Sequence, residues 1–198
     1  MNHRLLLSAA LVAAFTYAPA HAADTYPTRA IRMIVPFSAG GAADIIARLM
    51  GARLTETLGQ SIVVDTRPGG GTVLGTEIVA RASPDGYTLG MLATSLALNA
   101  GLLPKLPYDS VKDFSPITLA VDTPLIFVVP SSLPVKSLRE LIAMAKARPK
   151  GVAYASSGQG TSGHLAIELL SYRAGISMLH IPYKGAGQAL IDVIGGQV

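Results

Sequence analysis

Ile34-Val35-Pro36-Phe37-Ser38-Ala39-Gly40-Gly41-Ala42-Ala43-Asp44 is the stretch whose reading decides the fold. An apolar run, Ile31 to Pro36, ends abruptly in Phe37-Ser38-Ala39-Gly40-Gly41. Helical spacing then begins, with Ile46, Met50, Leu54 and Leu58 four apart and Ile45 and Leu49 beside them. The pattern is a strand, a turn of small residues and a helix whose first amides are uncovered. Such amides, at the positive end of the helix dipole, attract anions, and Gly40 and Gly41 let a ligand approach the backbone closely. The turn carries no Lys, Arg or His, so the expected guest is a carboxylate held by main-chain donors, not a polyphosphate. The alternative is that the glycines serve only the tight strand-to-helix turn. These residues alone leave both readings open.

Downstream, the same unit repeats. Gly59 is placed to stop the first helix in a left-handed cap, and Ser61 to Asp65 is short and β-branched, a second strand. Thr66-Arg67-Pro68-Gly69-Gly70-Gly71 forms a loop before a helical segment from Thr72 to Ala82. Ser83-Pro84-Asp85-Gly86 is a turn, and Tyr87 to Leu92 a third strand. Strands alternating with helices predict an α/β fold with a parallel sheet. Thr94 and Ser95 then fall at the carboxyl end of the third strand, the edge where open α/β sheets bind ligands. Their other reading is simple capping of the helix Leu96 to Leu102.

From Leu103 to Pro116 the chain is proline-marked and irregular, and two apolar β-rich runs follow, Ile117 to Val121 and Leu125 to Val129. Here the chain is expected to cross into a second lobe, giving lobes at 23–122 and 123–198. Ser137 with Glu140 is a capping box opening a helix to Ala147, and Lys146, Arg148 and Lys150 suit its carboxyl end. Val152 to Ala155 reads as a strand. Ser156-Ser157-Gly158-Gln159-Gly160-Thr161-Ser162-Gly163-His164 is a second glycine-bearing loop, entering a helix from Leu165 to Ser171. Ile176 to Pro182 is a further strand after a Gly175 stop. Pro182-Tyr183-Lys184-Gly185-Ala186-Gly187 is a third such loop, before a helix Gln188 to Ile194 capped at Gly195-Gly196.

Gly158, Gly160 and Gly163 spell G-x-G-x-x-G, the dinucleotide fingerprint, but the acidic residue due about 20 positions later is absent. A nucleotide-dependent enzyme on a Rossmann-like fold is therefore the alternative, and no cofactor is the expectation. His164 has no nucleophile elbow and no metal-binding partner motif around it, so it is expected to pack or hydrogen-bond near the loop. His180 is expected to be structural. Neither a catalytic residue nor a metal site is expected. Across the 198 residues there is no cysteine, and the net charge of +4 comes without a basic cluster, so no nucleic-acid partner is expected. Residues 1–22 have the form of a signal peptide: Arg4, an apolar Leu5 to Phe15, then Ala20-His21-Ala22. Its removal would take His3 and His21 with it and leave an exported chain beginning at Ala23.

A family resemblance rests on seven motifs in order. They are Tyr26-Pro27; Ile34 to Gly41 with Asp44; Arg67-Pro68-Gly69; Ala82 to Leu89; Leu106-Pro107-Tyr108-Asp109 with Lys112-Asp113-Phe114; Tyr154 to Gly158 with His164-Leu165; and His180 to Gly185. Together they resemble the tripartite tricarboxylate transporter substrate-binding proteins, the Bug or TctC family. The resemblance implies a two-domain periplasmic-binding-protein type II (Venus-flytrap) fold, incomplete at the C-terminus because family members continue well beyond Val198. It implies no enzyme but a monomeric periplasmic receptor that closes on a small organic acid and hands it to a membrane permease. It places the ligand's carboxyl group at Phe37, Ser38, Ala39, Gly40 and Gly41, with Asp44 in the same motif. It brings Ser156, Ser157, Gly158, Thr161 and His164 from the second lobe, and lines the cleft with Thr94, Ser95, Tyr183, Lys184 and Gly185. Ser38 departs from the proline usual there. A truncated fragment that binds nothing is the remaining alternative.

Overall fold

The structure is a computed structural model and describes residues 26–198; the signal-peptide reading lies outside them. The first sheet has three parallel strands in the order β2-β1-β3: β1 Ile31–Val35, β2 Ile62–Thr66 and β3 Thr88–Gly90. β1 is central, pairing Ile31 with Ile62 through Val35 with Thr66 on one side and Arg32 with Thr88 through Ile34 with Gly90 on the other. A strand flanked on both edges has its faces covered too, and Ile31, Met33, Ile34 and Val35 are all buried.

Helix α1, Ala42–Leu58, follows β1 and ends at Gly59, whose φ of 68° is the expected left-handed stop. Its buried residues are Asp44, Ala47 and Gly51, where the spacing pointed to the large apolar ones. Ile45 and Leu49 are 52% and 66% exposed. The reason is the closeness of helix and sheet. A Cβ on Gly51 would stand 3.4 Å from Ile62, so small residues must face the strands and the larger Leu54 packs at the rim of the core cluster. A short 3-10 turn, Gly70–Thr72, leads into α2, Val73–Ala80, and α3 is Ser95–Leu102. α2 also presents a glycine to the sheet: a Cβ on Gly75 would meet the Arg67 carbonyl at 2.6 Å and Pro36 at 2.8 Å.

The second sheet has two parallel strands, β4 Ala153–Ser156 and β5 Leu179–Pro182, paired from Ala153 with Leu179 to Ser156 with Pro182. Helix α5, Ser162–Ala174, makes the crossover between them and stops at Gly175, φ 63°. α4 is Leu138–Ala147 and α6 Ala186–Ile194. Ser137 caps α4 by accepting from the Glu140 N–H, while the Glu140 carboxylate accepts from the Lys136 N–H. The capping box thus forms with its return bond shifted by one residue.

The two apolar runs at 117–121 and 125–129 form no strand. Ile117, Leu119 and Ile126 are about four-fifths exposed. β-branched composition supplies propensity, but a strand exists only where its N–H and C=O groups find a partner ladder, and neither sheet extends to these residues.

Candidate functional site

The carboxyl ends of the strands in both sheets converge on one cleft of about 460 Å³. Pro36 comes from the end of β1, Gly69 to Thr72 from the loop after β2, and Asn99 and Leu102 from the helix after β3. Ser157 to Gly160 and His164 come from the loop and helix after β4, and Tyr183 and Lys184 from the end of β5. A cleft at the carboxyl edges is where a parallel α/β sheet offers free main-chain groups and helix starts.

The loop Phe37–Gly41 stands at the seam beside this cleft. The Ser38 N–H donates to the Lys184 carbonyl across the lobes at 3.1 Å. The Gly40 N–H donates to the Asp44 carboxylate at 2.9 Å. Two of the loop's amides are therefore engaged, while Ala39 and Gly40 are exposed. Gly185 is pressed against Ser38: a Cβ there would lie 2.0 Å from its hydroxyl oxygen. The Ser38 hydroxyl itself is buried without a protein partner. Phe37 packs on the Met33, Val35 and Ala47 cluster. Asp44 is buried, and its second oxygen pairs with Arg48 at 3.0 Å. The Arg48 guanidinium and the Gly40 amide outweigh burial and hold the Asp44 carboxyl below the usual carboxylate range.

At the start of α3, Thr94 is exposed and makes no side-chain cap bond. Ser95 is buried and accepts from the Thr72 hydroxyl at 2.9 Å. One turn on, Asn99 donates to the Gly71 carbonyl at 2.9 Å. Thr72 sits at φ 81°, a left-handed conformation uncommon for a β-branched residue. This buried network holds the Gly69–Thr72 loop at the cleft.

In the second lobe the predicted residues divide by role. Ser157, Gly158, His164, Tyr183 and Lys184 line the cleft. Ser156 and Thr161 are buried and brace the loop from behind: the Ser156 hydroxyl bonds Gly158 and His180 Nε2, and the Thr161 hydroxyl donates to the Gly158 carbonyl at 2.7 Å. The Gly160 N–H donates to His164 Nδ1 at 3.3 Å. The His164 and His180 rings stack at 4.1 Å, and Tyr154 stacks on the far side of His180 at 4.8 Å. Burial, helped by His164, lowers the His180 pKa below its ordinary 6.5. Burial and the hydrogen bond to Glu168 push the Tyr154 hydroxyl far up.

The G-x-G-x-x-G run follows β4 and enters the first turn of α5, with Gly163 already inside the helix. Its close approach is taken up by the other lobe: a Cβ on Gly160 would fall 2.4 Å from the Asn99 side-chain oxygen, and one on Gly71 2.0 Å from the Gln159 carbonyl. Gly69–Thr72, Pro36, Asn99, Leu102, Leu103, Gln159, Gly160 and Pro182 line the cleft without having been expected there, whereas Phe37–Gly41, Asp44, Thr94, Ser95 and Gly185, expected at the ligand, are not among its lining residues. The signal for the first group was available, since Arg67-Pro68-Gly69-Gly70-Gly71 follows a strand and so belongs to the carboxyl edge.

A family model described as the tripartite tricarboxylate transporter family receptor matches residues 46–198. The BugT protein of Bordetella pertussis is 44% identical over 178 residues, covering 89% of this chain and 55% of the relative. The solved periplasmic binding protein BugD is similar at 35% identity and TM-score 0.76, over 87% of this chain and 58% of that one. MatC from Rhodopseudomonas palustris, solved with bound malate, is similar at 32% identity and TM-score 0.80, over 87% and 59%. The chain thus has the α/β fold of the periplasmic binding proteins and spans a little under three-fifths of the length of these proteins.

Proposed function

We propose, from the premise that the chain belongs to the tripartite tricarboxylate transporter receptor family, that it captures a small di- or tricarboxylate in the cleft between its sheets. The observation that carries this reading is the character of the cleft wall. Glycine loops and helix starts from both lobes supply main-chain donors, and Lys184 is the one Lys or Arg among the described residues lining it. Amides plus a single ammonium suit a carboxylate. MatC, similar over most of this chain, was solved with malate, which supports a four-carbon acid as the first candidate.

Ser157, Gly158, His164, Tyr183 and Lys184 would face the acid from the second lobe. Phe37 to Gly41, with Asp44 behind them, and Thr94 would approach it from the first. Ser95, Ser156, Thr161 and Gly185 hold these groups in place. The Ser38 hydroxyl, buried and unpartnered, is the donor a ligand oxygen or bridging water would satisfy. The role is capture and delivery to a membrane permease of the tripartite type, without catalysis. Export by removal of residues 1–22 places it in the periplasm, and a secreted product whose first residue is not near Ala23 would remove that part.

Ligand that binds only the native state must raise its melting temperature. Malate at a hundred times its Kd should add about 2.7 kcal/mol of apparent stability, read by thermal unfolding and confirmed by calorimetry. No shift and no heat with malate, succinate or citrate would overturn the carboxylate reading.

A further inference from the structure

His164 and His180 stack face to face directly behind the cleft loop of the second lobe, and each holds a different part of it. His164 Nδ1 accepts the Gly160 N–H, and His180 Nε2 bonds the Ser156 hydroxyl, which in turn bonds Gly158. With Nδ1 an acceptor, His164 is neutral in this arrangement. A proton on Nδ1 would set donor against donor at Gly160. Nor can both rings charge together, with centroids 4.1 Å apart.

We infer that this histidine pair positions the ligand loop Ser156–Thr161, and that protonation of the pair releases the loop, so ligand affinity falls as the surroundings acidify. The inference rests on the proposed use of the cleft, since Gly158, Gly160 and His164 all line it. The titratable neighbours are few. Tyr154 covers the outer face of His180 and gives its hydroxyl to Glu168 on α5, whose charge acts on His180 in the opposite sense to His164 and burial. Lys184 borders the same cleft as His164. His180 is enclosed between two rings, while His164 stands at the cleft and holds the Gly160 N–H.

Nitrogen-15 NMR of the ligand-free chain from about pH 8 to about pH 5 tests this without any ligand. The Gly160 and Gly158 amide resonances should move together in one step through the histidine range. In parallel, the malate Kd should rise roughly fivefold or more over that interval, about 1 kcal/mol. In H164N the side-chain oxygen can accept from Gly160 at every pH, so both pH dependences should flatten, whatever the variant's affinity at the upper end. H180Q should leave a pH step at Gly160 but separate it from Gly158. A Gly160 resonance that does not titrate, or that titrates undiminished in H164N, would overturn the inference. If malate and its relatives fail to bind at any pH, the carboxylate reading falls, and the amide titration still decides this one.

Discussion

Asp44 is buried in the first turn of α1 with both oxygens engaged, one by the Gly40 N–H and one by Arg48. An acidic residue in a first helical turn complements the dipole, but here it does more. It fixes the loop whose amides stand at the lobe seam. Arg48 is more than half exposed, so its half of the interaction is weakened by solvent, and the Gly40 N–H adds a second, main-chain contact. Asp44→Asn keeps the size and removes the charge, and should cost about 1–2 kcal/mol by urea unfolding near neutral pH. The sign with pH follows from the direction of the shift. The folded carboxyl sits below its ordinary 3.8, so its stabilisation is present above that value and is lost as pH falls through the lower, folded value. Variant and parent should therefore converge in stability in strong acid. A gap that persists there would point to packing instead of charge.

At the scale of elements, the lobes meet through glycine. Gly185, at the start of α6, has φ 166°, an extended conformation open to any residue. Its requirement for glycine comes from Ser38, whose hydroxyl oxygen and backbone nitrogen would stand 2.0 and 2.9 Å from an added Cβ. Gly185→Ala should therefore wedge the β1–α1 loop away from the β5–α6 loop without straining either backbone. Malate affinity should fall roughly tenfold or more, about 1.4 kcal/mol, with far-UV circular dichroism unchanged. Unaltered affinity would show that the seam does not matter for binding. The same contact shows what sequence could and could not reveal. The strand, turn and helix at 34–44, the Ser137 cap and the stops at Gly59 and Gly175 were legible because each is decided by a few consecutive residues. The approach of Gly185 to Ser38, or of Asn99 to Gly160, joins positions far apart in the chain and leaves no local trace. The runs at 117–129 failed as strands for a related reason: pairing is a property of two segments, and composition describes one. Ile45 and Leu49 misled because helical spacing identifies a stripe of large residues, while close packing on a sheet selects small ones.

Over the whole molecule, burial is uneven. The first sheet encloses β1 on both edges, and Ile31, Ile34 and Val35 have almost no exposure. The second has one strand pair, and its buried apolar residues are spread thinly over Leu141, Ala145, Tyr154, Ile167 and Ala189. Leu190, Ile191 and Ile194 of α6 are largely exposed, as is the segment from Ile117 to Ile126. Local opening costs least where few apolar contacts must be broken. Hydrogen–deuterium exchange should then rank the chain, with β1 and the middle of α1 slowest, β4 and β5 intermediate, and 117–129 exchanging almost at once. Malate should slow exchange on both sides of the cleft together, at peptides covering 69–72, 157–160 and 182–185, because one ligand gripped from two lobes ties their opening into a single event. Protection confined to one lobe would mean that the acid docks on a single wall and that closure contributes nothing to holding it.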